Sequence, residues 1–169
     1  MDRWYLSGER AEDYEYGIDP KLKYHGKTCM YLRPRIPEPR DFASVTQTIK
    51  AAPYRNKRMR LSAALKATGI EGWAGLWMRL DGIDTHILDN MEDRPIQGTT
   101  EWRTHEVVLD VPEQSQAIAF GCLLVGKGQL WLSDVLLEEV GRDVSTTASE
   151  ERPRELPYAP VDLDFASLA

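Results

Sequence analysis

The strongest constraint on the fold is a period of two in the apolar residues, which recurs in short runs along most of the chain. In Lys57–Lys66 every second residue is apolar, and mostly polar or basic residues stand between. Gly72–Asp81 repeats the alternation, but its second set of positions carries aromatic and charged side chains. Because successive side chains of a β-strand point to opposite faces, each run predicts a strand with one buried face.

Seven further runs alternate more or less strongly: Trp4–Leu6, Tyr14–Ile18, Thr28–Leu32, Ser44–Lys50, Trp102–Val111, Ala117–Val125 and Gln129–Val140. The last two flank Gly126-Lys127-Gly128, so we expect them to form a hairpin. About eight to ten short strands without a convincing amphipathic helix predict an all-β fold, an antiparallel β-sandwich or barrel, and a jelly roll fits best.

Two segments outside these runs carry expectations of their own. Asp81–Glu101 is long for a connection and contains Met91 and Ile96, so we expect it to pack as an ordered loop over one end of the sandwich. We expect residues 1–142 to form the sandwich domain and residues 143–159 a linker. Residues 160–169 alternate again, which predicts a strand that docks on the sandwich or on a neighbouring subunit, giving a homodimer.

Composition excludes several classes of protein. The 169 residues include 21 Lys and Arg against 27 Asp and Glu, a net charge of −6, which argues against nucleic acid as a partner. No apolar stretch reaches membrane-spanning length and no signal peptide is evident, so we expect a cytoplasmic protein without a membrane partner. Cys29 and Cys122 lie in no C-x-x-C or zinc spacing and are expected in the core.

Three segments, Gly72–Gly82, Leu88–Trp102 and Val108–Pro112, resemble bacterial jelly-roll domains of the galactose-binding-like type. Such domains are appended to transcriptional regulators and to erythromycin-esterase-like proteins. The resemblance runs from about Trp4 to Val140 and is most specific in the central segment. It implies a fold like that of the carbohydrate-binding modules, but no single chemistry.

The resemblance also bears on the C-terminal segment and on metal binding. Related domains begin with a strand of the form Pro-x-Asn-Leu-Asp-Phe-Glu, and a similar sequence stands here at Pro160–Ala166. The resemblance thus implies that this segment supplies a strand, the alternative being a linker to a further domain. Carbohydrate-binding jelly rolls often hold calcium with that Glu and two acids of the last strand. Those positions read Ala166, Ser133 and Asp134 here, so we expect no metal site, because calcium takes six to eight oxygens.

No motif for an activated nucleophile, a metalloprotease, a phosphate loop or a dinucleotide is present, and we expect no cofactor. The three histidines, His25, His86 and His105, are too isolated in sequence for metal-ligand spacing. His86 lies beside Asp84 and Asp89 in the long loop and is the one that merits a test.

The second face of the central strands is the candidate binding site, because aromatic, guanidinium, amide and carboxylate groups can stack on and orient a sugar-like ligand. The candidate ligand-binding residues are Gln47, Trp77, Arg79, Asp81 and Glu106, and the loop residues near them are His86, Asn90 and Arg94. Alternatively, Arg79 pairs with Asp81 or Glu106 while Trp77 covers the sandwich edge. For Asn90, Asp93 and Arg94 we favour hydrogen bonds that fix their own loop.

Three functions fit these features. The first is a non-catalytic module that binds a small organic molecule or sugar, as the sensor of a regulatory system or as an accessory protein. The second is a cofactor-independent cyclase or isomerase of a natural-product pathway, with Asp81, Glu106 or Asp134 as proton donor. The third is a structural subunit. A carboxyl group buried against Trp77 or Trp131 in an enclosed pocket would indicate the enzyme, and an open groove the binding module.

Overall fold

This computed structural model describes residues 3–148, which contain nine β-strands and two short 3-10 turns joined by loops. The strands are β1 (Tyr5–Ser7), β2 (Tyr14–Tyr24), β3 (Lys27–Pro34), β4 (Phe42–Lys50), β5 (Arg58–Asp81), β6 (His86–Asp89), β7 (Ile96–Asp110), β8 (Ala117–Val125) and β9 (Gln129–Val140). The turns are Ala11–Asp13 and Ala52–Tyr54. All strand pairs are antiparallel, which confirms the predicted all-β fold.

The long strand β5 belongs to both layers of the sandwich. Its first half, from Arg58 to Thr68, lies between β7 and β9, and β3 and β2 continue that layer. Its second half, from Trp73 to Asp81, pairs with β8 along its length, and β4 and β1 continue the other layer. Strand β6 pairs with the last residues of β5 on the opposite edge. The sequence predicted these halves as two separate strands.

The alternation located the buried face of both halves of β5 correctly. Each of the predicted inward residues is at most 2% exposed: Met59, Leu61, Ala63, Leu65, Ala74, Leu76, Met78 and Leu80. Burial of a large apolar side chain contributes about 1.5–3 kcal/mol, so this one strand stabilises the sandwich along its whole length. Cys29 and Cys122 are also buried, as predicted, and burial raises the pKa of the Cys122 thiol to about 12.

The prediction of a β8–β9 hairpin is wrong, because β8 and β9 lie on opposite sides of β5. The connection Gly126-Lys127-Gly128 crosses between layers where β5 itself crosses, and the Glu71 N–H donates to the Lys127 carbonyl at 3.2 Å. A Cβ on Gly128 would lie 2.7 Å from the Gly69 carbonyl oxygen. Close approach of two backbones therefore requires this glycine, which in the sequence looks the same as a hairpin glycine.

The predicted connection Asp81–Glu101 buries Met91 and Ile96 as expected. It is shorter than predicted, because β7 already begins at Ile96, and it contains the short strand β6, which was not foreseen. Beyond β9, Thr147 hydrogen-bonds Val108, and Ala148 packs against the core. The predicted C-terminal strand at residues 160–169 lies outside the described residues, as does most of the predicted linker. Within residues 3–148, the helical segments are too short to reach across a membrane.

Candidate functional site

A groove of about 600 Å³ lies on the outer face of the layer formed by β4, β8 and the second half of β5. Strand register places Trp77, Gly121 and Thr46 side by side on this face, with Trp73 beside Val125 at one end. The alternate residues of β5 point into the core. We call this the tryptophan groove, and its lining includes Ser7, Glu9, Phe42, Trp73, Trp77, Arg79, Leu88, Asn90 and Leu123.

Trp77 is fixed as the floor of the tryptophan groove. The residue is 7% exposed, and its indole Nε1 donates to the Ser44 hydroxyl at 2.6 Å. Ser44 in turn donates to the Cys122 carbonyl at 3.0 Å, so the hydrogen bond ties the indole to the backbone of β8. A buried tryptophan with a satisfied N–H keeps one orientation, which gives the floor a defined shape. Trp73, only partly buried, extends this floor toward solvent.

Arg79 and Asp81 form a bidentate ion pair at the other end of the groove. Arg79 Nε and Nη2 donate to the two carboxylate oxygens of Asp81 at 2.7 and 3.1 Å. The guanidinium carbon lies 6.0 Å from the Trp77 ring centroid. Both side chains are partly exposed, so the pair adds little stability, but it places donors and acceptors beside an aromatic surface.

The structure brings together five of the predicted site residues and separates the others. Trp77, Arg79 and Asp81 share one face, His86 stands opposite Asp81 on β6, and Asn90 lines the groove. His86 belongs to a strand and not to a loop.

Gln47 and Glu106 do not belong to this face, so the prediction that they share it with Trp77 is wrong. Gln47 pairs with Phe120, which pairs with Met78, and this row of residues points to the core side. Glu106 lies on β7 beside the first half of β5, in the other layer, where it is 3.9 Å from Arg60. Residues on different strands share a face only if the pairing and the layer of those strands allow it, and the alternation within a single strand does not show either.

Asp89 anchors the segment that forms one wall of the groove. Arg94 donates to both carboxylate oxygens of Asp89 at 3.1 and 2.8 Å, and the Thr147 hydroxyl donates at 2.6 Å. Burial alone would raise the pKa of Asp89, but the hydrogen bonds from Arg94, Thr147 and the Met91 N–H lower it below its ordinary value. Arg94 therefore holds the loop, the role favoured from sequence, and Asn90 caps a turn by accepting from the Glu92 N–H.

Asp134 stands apart from the tryptophan groove. It lies near a bulge of β9 with a φ of 55° and forms an ion pair with Lys27, while the Ser133 hydroxyl donates to the Thr28 carbonyl at 2.9 Å. The two positions that correspond to calcium-binding acids are thus a hydroxyl and a lysine-paired carboxylate. Among the residues that the structure describes, no group of three or more His, Cys, Asp or Glu could hold a metal ion. These donors do not fit calcium.

Some groove residues were absent from the predicted set. Trp73 shares the spacing of Trp77 and Arg79 along β5, so the alternation alone could have indicated it. Phe42, Leu123 and Glu9 come from other strands or turns and carried no sequence signal. They join the groove only through the pairing of β4 with β8 and of β1 with β4.

Solved structures share this architecture. The C-terminal family 22 carbohydrate-binding module of Clostridium thermocellum Xyn10B superposes with a TM-score of 0.60 at 12% identity, over 82% of this chain and 87% of the module. The tandem family 22 modules of Paenibacillus barcinonensis Xyn10C give a TM-score of 0.63 at 11% identity, over 92% of this chain and 44% of the pair. The chain has a jelly-roll fold like that of these modules. At these identities the likeness establishes the fold alone.

A relative in sequence is the uncharacterized HTH-type transcriptional regulator YbfP of Bacillus subtilis strain 168. The two are 43% identical over 168 residues, which cover 98% of this chain and 57% of the regulator. The chain thus spans little more than half the length of that relative. No protein-family model matches the chain.

Proposed function

We propose that this jelly roll is a non-catalytic binding module that holds a sugar or another small organic molecule in the tryptophan groove. The observation that carries the proposal is the groove itself, whose volume of about 600 Å³ lies in the range of small-molecule sites and whose floor is aromatic. The likeness to a family 22 module whose cleft residues act in ligand binding supports it.

The side chains of the groove suit a ligand with both apolar and hydroxylated surfaces. Trp73 and Trp77 offer indole faces on which the C–H side of a sugar ring can pack. Arg79 and Asn90 stand at the rim and can donate to hydroxyl oxygens, and Glu9 can accept from hydroxyl groups. Binding of this kind needs neither a nucleophile nor a cofactor.

The surroundings of Asp81 and Asp19 favour binding over the cyclase alternative. Asp81 is partly exposed and engaged by Arg79 through both oxygens. Asp19 accepts from the Trp131 indole at 3.0 Å, but its pKa is lowered, chiefly by the Lys21 N–H and then by Trp131. A cyclase needs a carboxyl group that keeps its proton in an apolar pocket, and neither acid is in such surroundings.

We further propose that the module is the sensor part of a transcriptional regulator. The 43% identity to an HTH-type regulator supports this proposal. The match covers 57% of that relative, so the rest of its length is left for other parts of the regulator. In this arrangement the jelly roll binds the effector, and contact with DNA belongs to the region that the chain does not span.

A titration followed by calorimetry tests the binding proposal, with a panel of neutral monosaccharides and oligosaccharides that includes xylohexaose. We expect saturable binding by the natural chain and at least a tenfold loss of affinity in Trp73→Ala, since tenfold corresponds to about 1.4 kcal/mol of lost aromatic contact.

Trp102→Ala is the matched control, because Trp102 is also partly buried but lies on β7 against Tyr24, in the other layer. It is expected to bind like the natural chain. Absence of binding across the panel would exclude these sugars, and equal losses in both variants would place the ligand outside the tryptophan groove.

A further inference from the structure

A second groove, of about 300 Å³, opens between the two layers at one end of the core. Its apolar lining is formed by Trp4, Ile18, Met30, Leu132 and Val135, and we call it the end groove. Trp4 forms one side, with its ring edge-on to Phe120 at a centroid distance of 5.7 Å. Ile18 is 43% exposed, so an aliphatic side chain of this groove faces solvent.

Strand register explains why this apolar surface is uncovered. Ile18 pairs with Met30, and Met30 pairs with Leu132, so the three side chains form a row on one face of the first layer. The same face buries Leu32, two residues further along β3. The opposite layer ends at β1, which has three residues and, within residues 3–148, pairs with β4 alone. A strand added beside β1 would cover the row.

We propose that residues 160–165 of the same chain dock as a strand beside β1 and fill the end groove. In this segment Val161, Leu163 and Phe165 alternate with Asp162 and Asp164. A strand directs alternate residues to opposite faces, so one face of the docked segment is apolar and the other carries carboxylates toward solvent. Pro160 lacks an N–H donor and suits the first position of an edge strand.

The short connection that precedes residues 160–165 favours docking within one chain over docking between two copies. About twelve residues connect Ala148, which packs against the core, to Pro160. Extended, they span about 40 Å, while a domain of this length has a radius of gyration of about 15 Å. The segment can therefore reach a large part of the surface around Ala148. A tethered segment also acts at a high effective concentration, which favours the intramolecular contact.

Disulfide trapping in the full chain tests the proposal. The double variant Ile18→Cys with Leu163→Cys is oxidised mildly and analysed on a non-reducing gel, with peptide mapping of the bridge. The natural cysteines Cys29 and Cys122 are buried and do not compete. We expect an intrachain disulfide in a monomer.

The control pairs Leu163→Cys with Ile83→Cys, because Ile83 is 75% exposed in the loop between β5 and β6, outside the end groove. It is expected to remain reduced. If the variant with Ile18→Cys forms no more intrachain disulfide than this control, the proposed docking is wrong. A disulfide-linked dimer of the Ile18 variant assigns the groove to a second copy and overturns the intramolecular form.

Thermal unfolding gives an independent measurement. Leu163→Ser with Phe165→Ser is expected to lower Tm by about 5–10 °C, because both side chains leave the groove, and each 1 kcal/mol shifts Tm by about 2–4 °C in a domain of this size. Asp162→Ser with Asp164→Ser changes the outward face and is expected to shift Tm by less than about 2 °C. Equal shifts in the two double variants contradict the proposal.

Discussion

At the scale of the residue, Asp89 accepts four hydrogen bonds that fix the wall of the tryptophan groove. Its carboxylate accepts from Arg94, from the Thr147 hydroxyl and from the Met91 N–H. Asp89→Asn is therefore expected to reduce the free energy of unfolding by about 1–3 kcal/mol, because the partly buried Arg94 loses the buried one of its two carboxylate partners. Asp93→Asn is the control, since Asp93 is exposed and contacts Arg94 alone among the side chains. Urea unfolding measures both, and similar effects in the two variants would contradict the role of Asp89.

The pH dependence of the Asp89 effect has a defined sign. The pKa of Asp89 is lower in the folded protein than its ordinary value, so the charged carboxylate stabilises the fold above the unfolded pKa of about 3.9. That contribution is lost as the pH falls through the folded pKa. The difference in unfolding free energy between the natural chain and Asp89→Asn should be constant from about pH 8 to 5 and decrease below about pH 4. A difference that grows on acidification would refute this assignment.

At the scale of the element, β5 shows what the sequence predicts and what it does not. The β5 residues that pack in the main core are odd-numbered up to Ala67 and even-numbered from Ile70. This change of phase coincides with three register irregularities between Leu65 and Ala74, where the strand passes from one layer to the other. The alternation thus predicted both inward faces, but not that the two runs form one strand. β8 and β9 are separated because β5 lies between them, and the alternation did not indicate this either.

The candidate site was predictable to the same extent. Trp77, Arg79 and Asp81 lie on one strand two residues apart, so the period of two placed them together correctly. Gln47 and Glu106 were assigned from other strands without knowledge of the pairing, and both assignments failed. Which residues of one strand share a face follows from the alternation in its own sequence. Which residues of different strands lie together depends on how the strands pair and on the layer to which each belongs.

Gly121 provides a test of the close packing between β4 and β8. A Cβ at this position would overlap the Val45 carbonyl oxygen, and the residue stands between Trp77 and Thr46 on the groove face. Gly121→Ala is expected to destabilise the chain by about 1–3 kcal/mol, because backbone must move to admit the methyl group. Ala117→Gly, at the start of the same strand, is the control, with a loss of about 1 kcal/mol or less. A Tm of Gly121→Ala equal to that of the natural chain would show that the two strands are not packed this closely.

At the scale of the whole molecule, the net charge bears on the proposed division of labour between this chain and a DNA-binding region. The net charge of −6 opposes association with a phosphate backbone, because such binding depends on basic residues that release counterions. The 169-residue chain alone is therefore expected to leave the fluorescence anisotropy of a labelled DNA duplex unchanged up to about 10 μM protein at 50 mM salt. A rise in anisotropy that disappears between about 50 and 200 mM salt would reveal a basic surface in this chain. It would also contradict the division of labour in which the tryptophan groove binds the effector and DNA contact lies elsewhere.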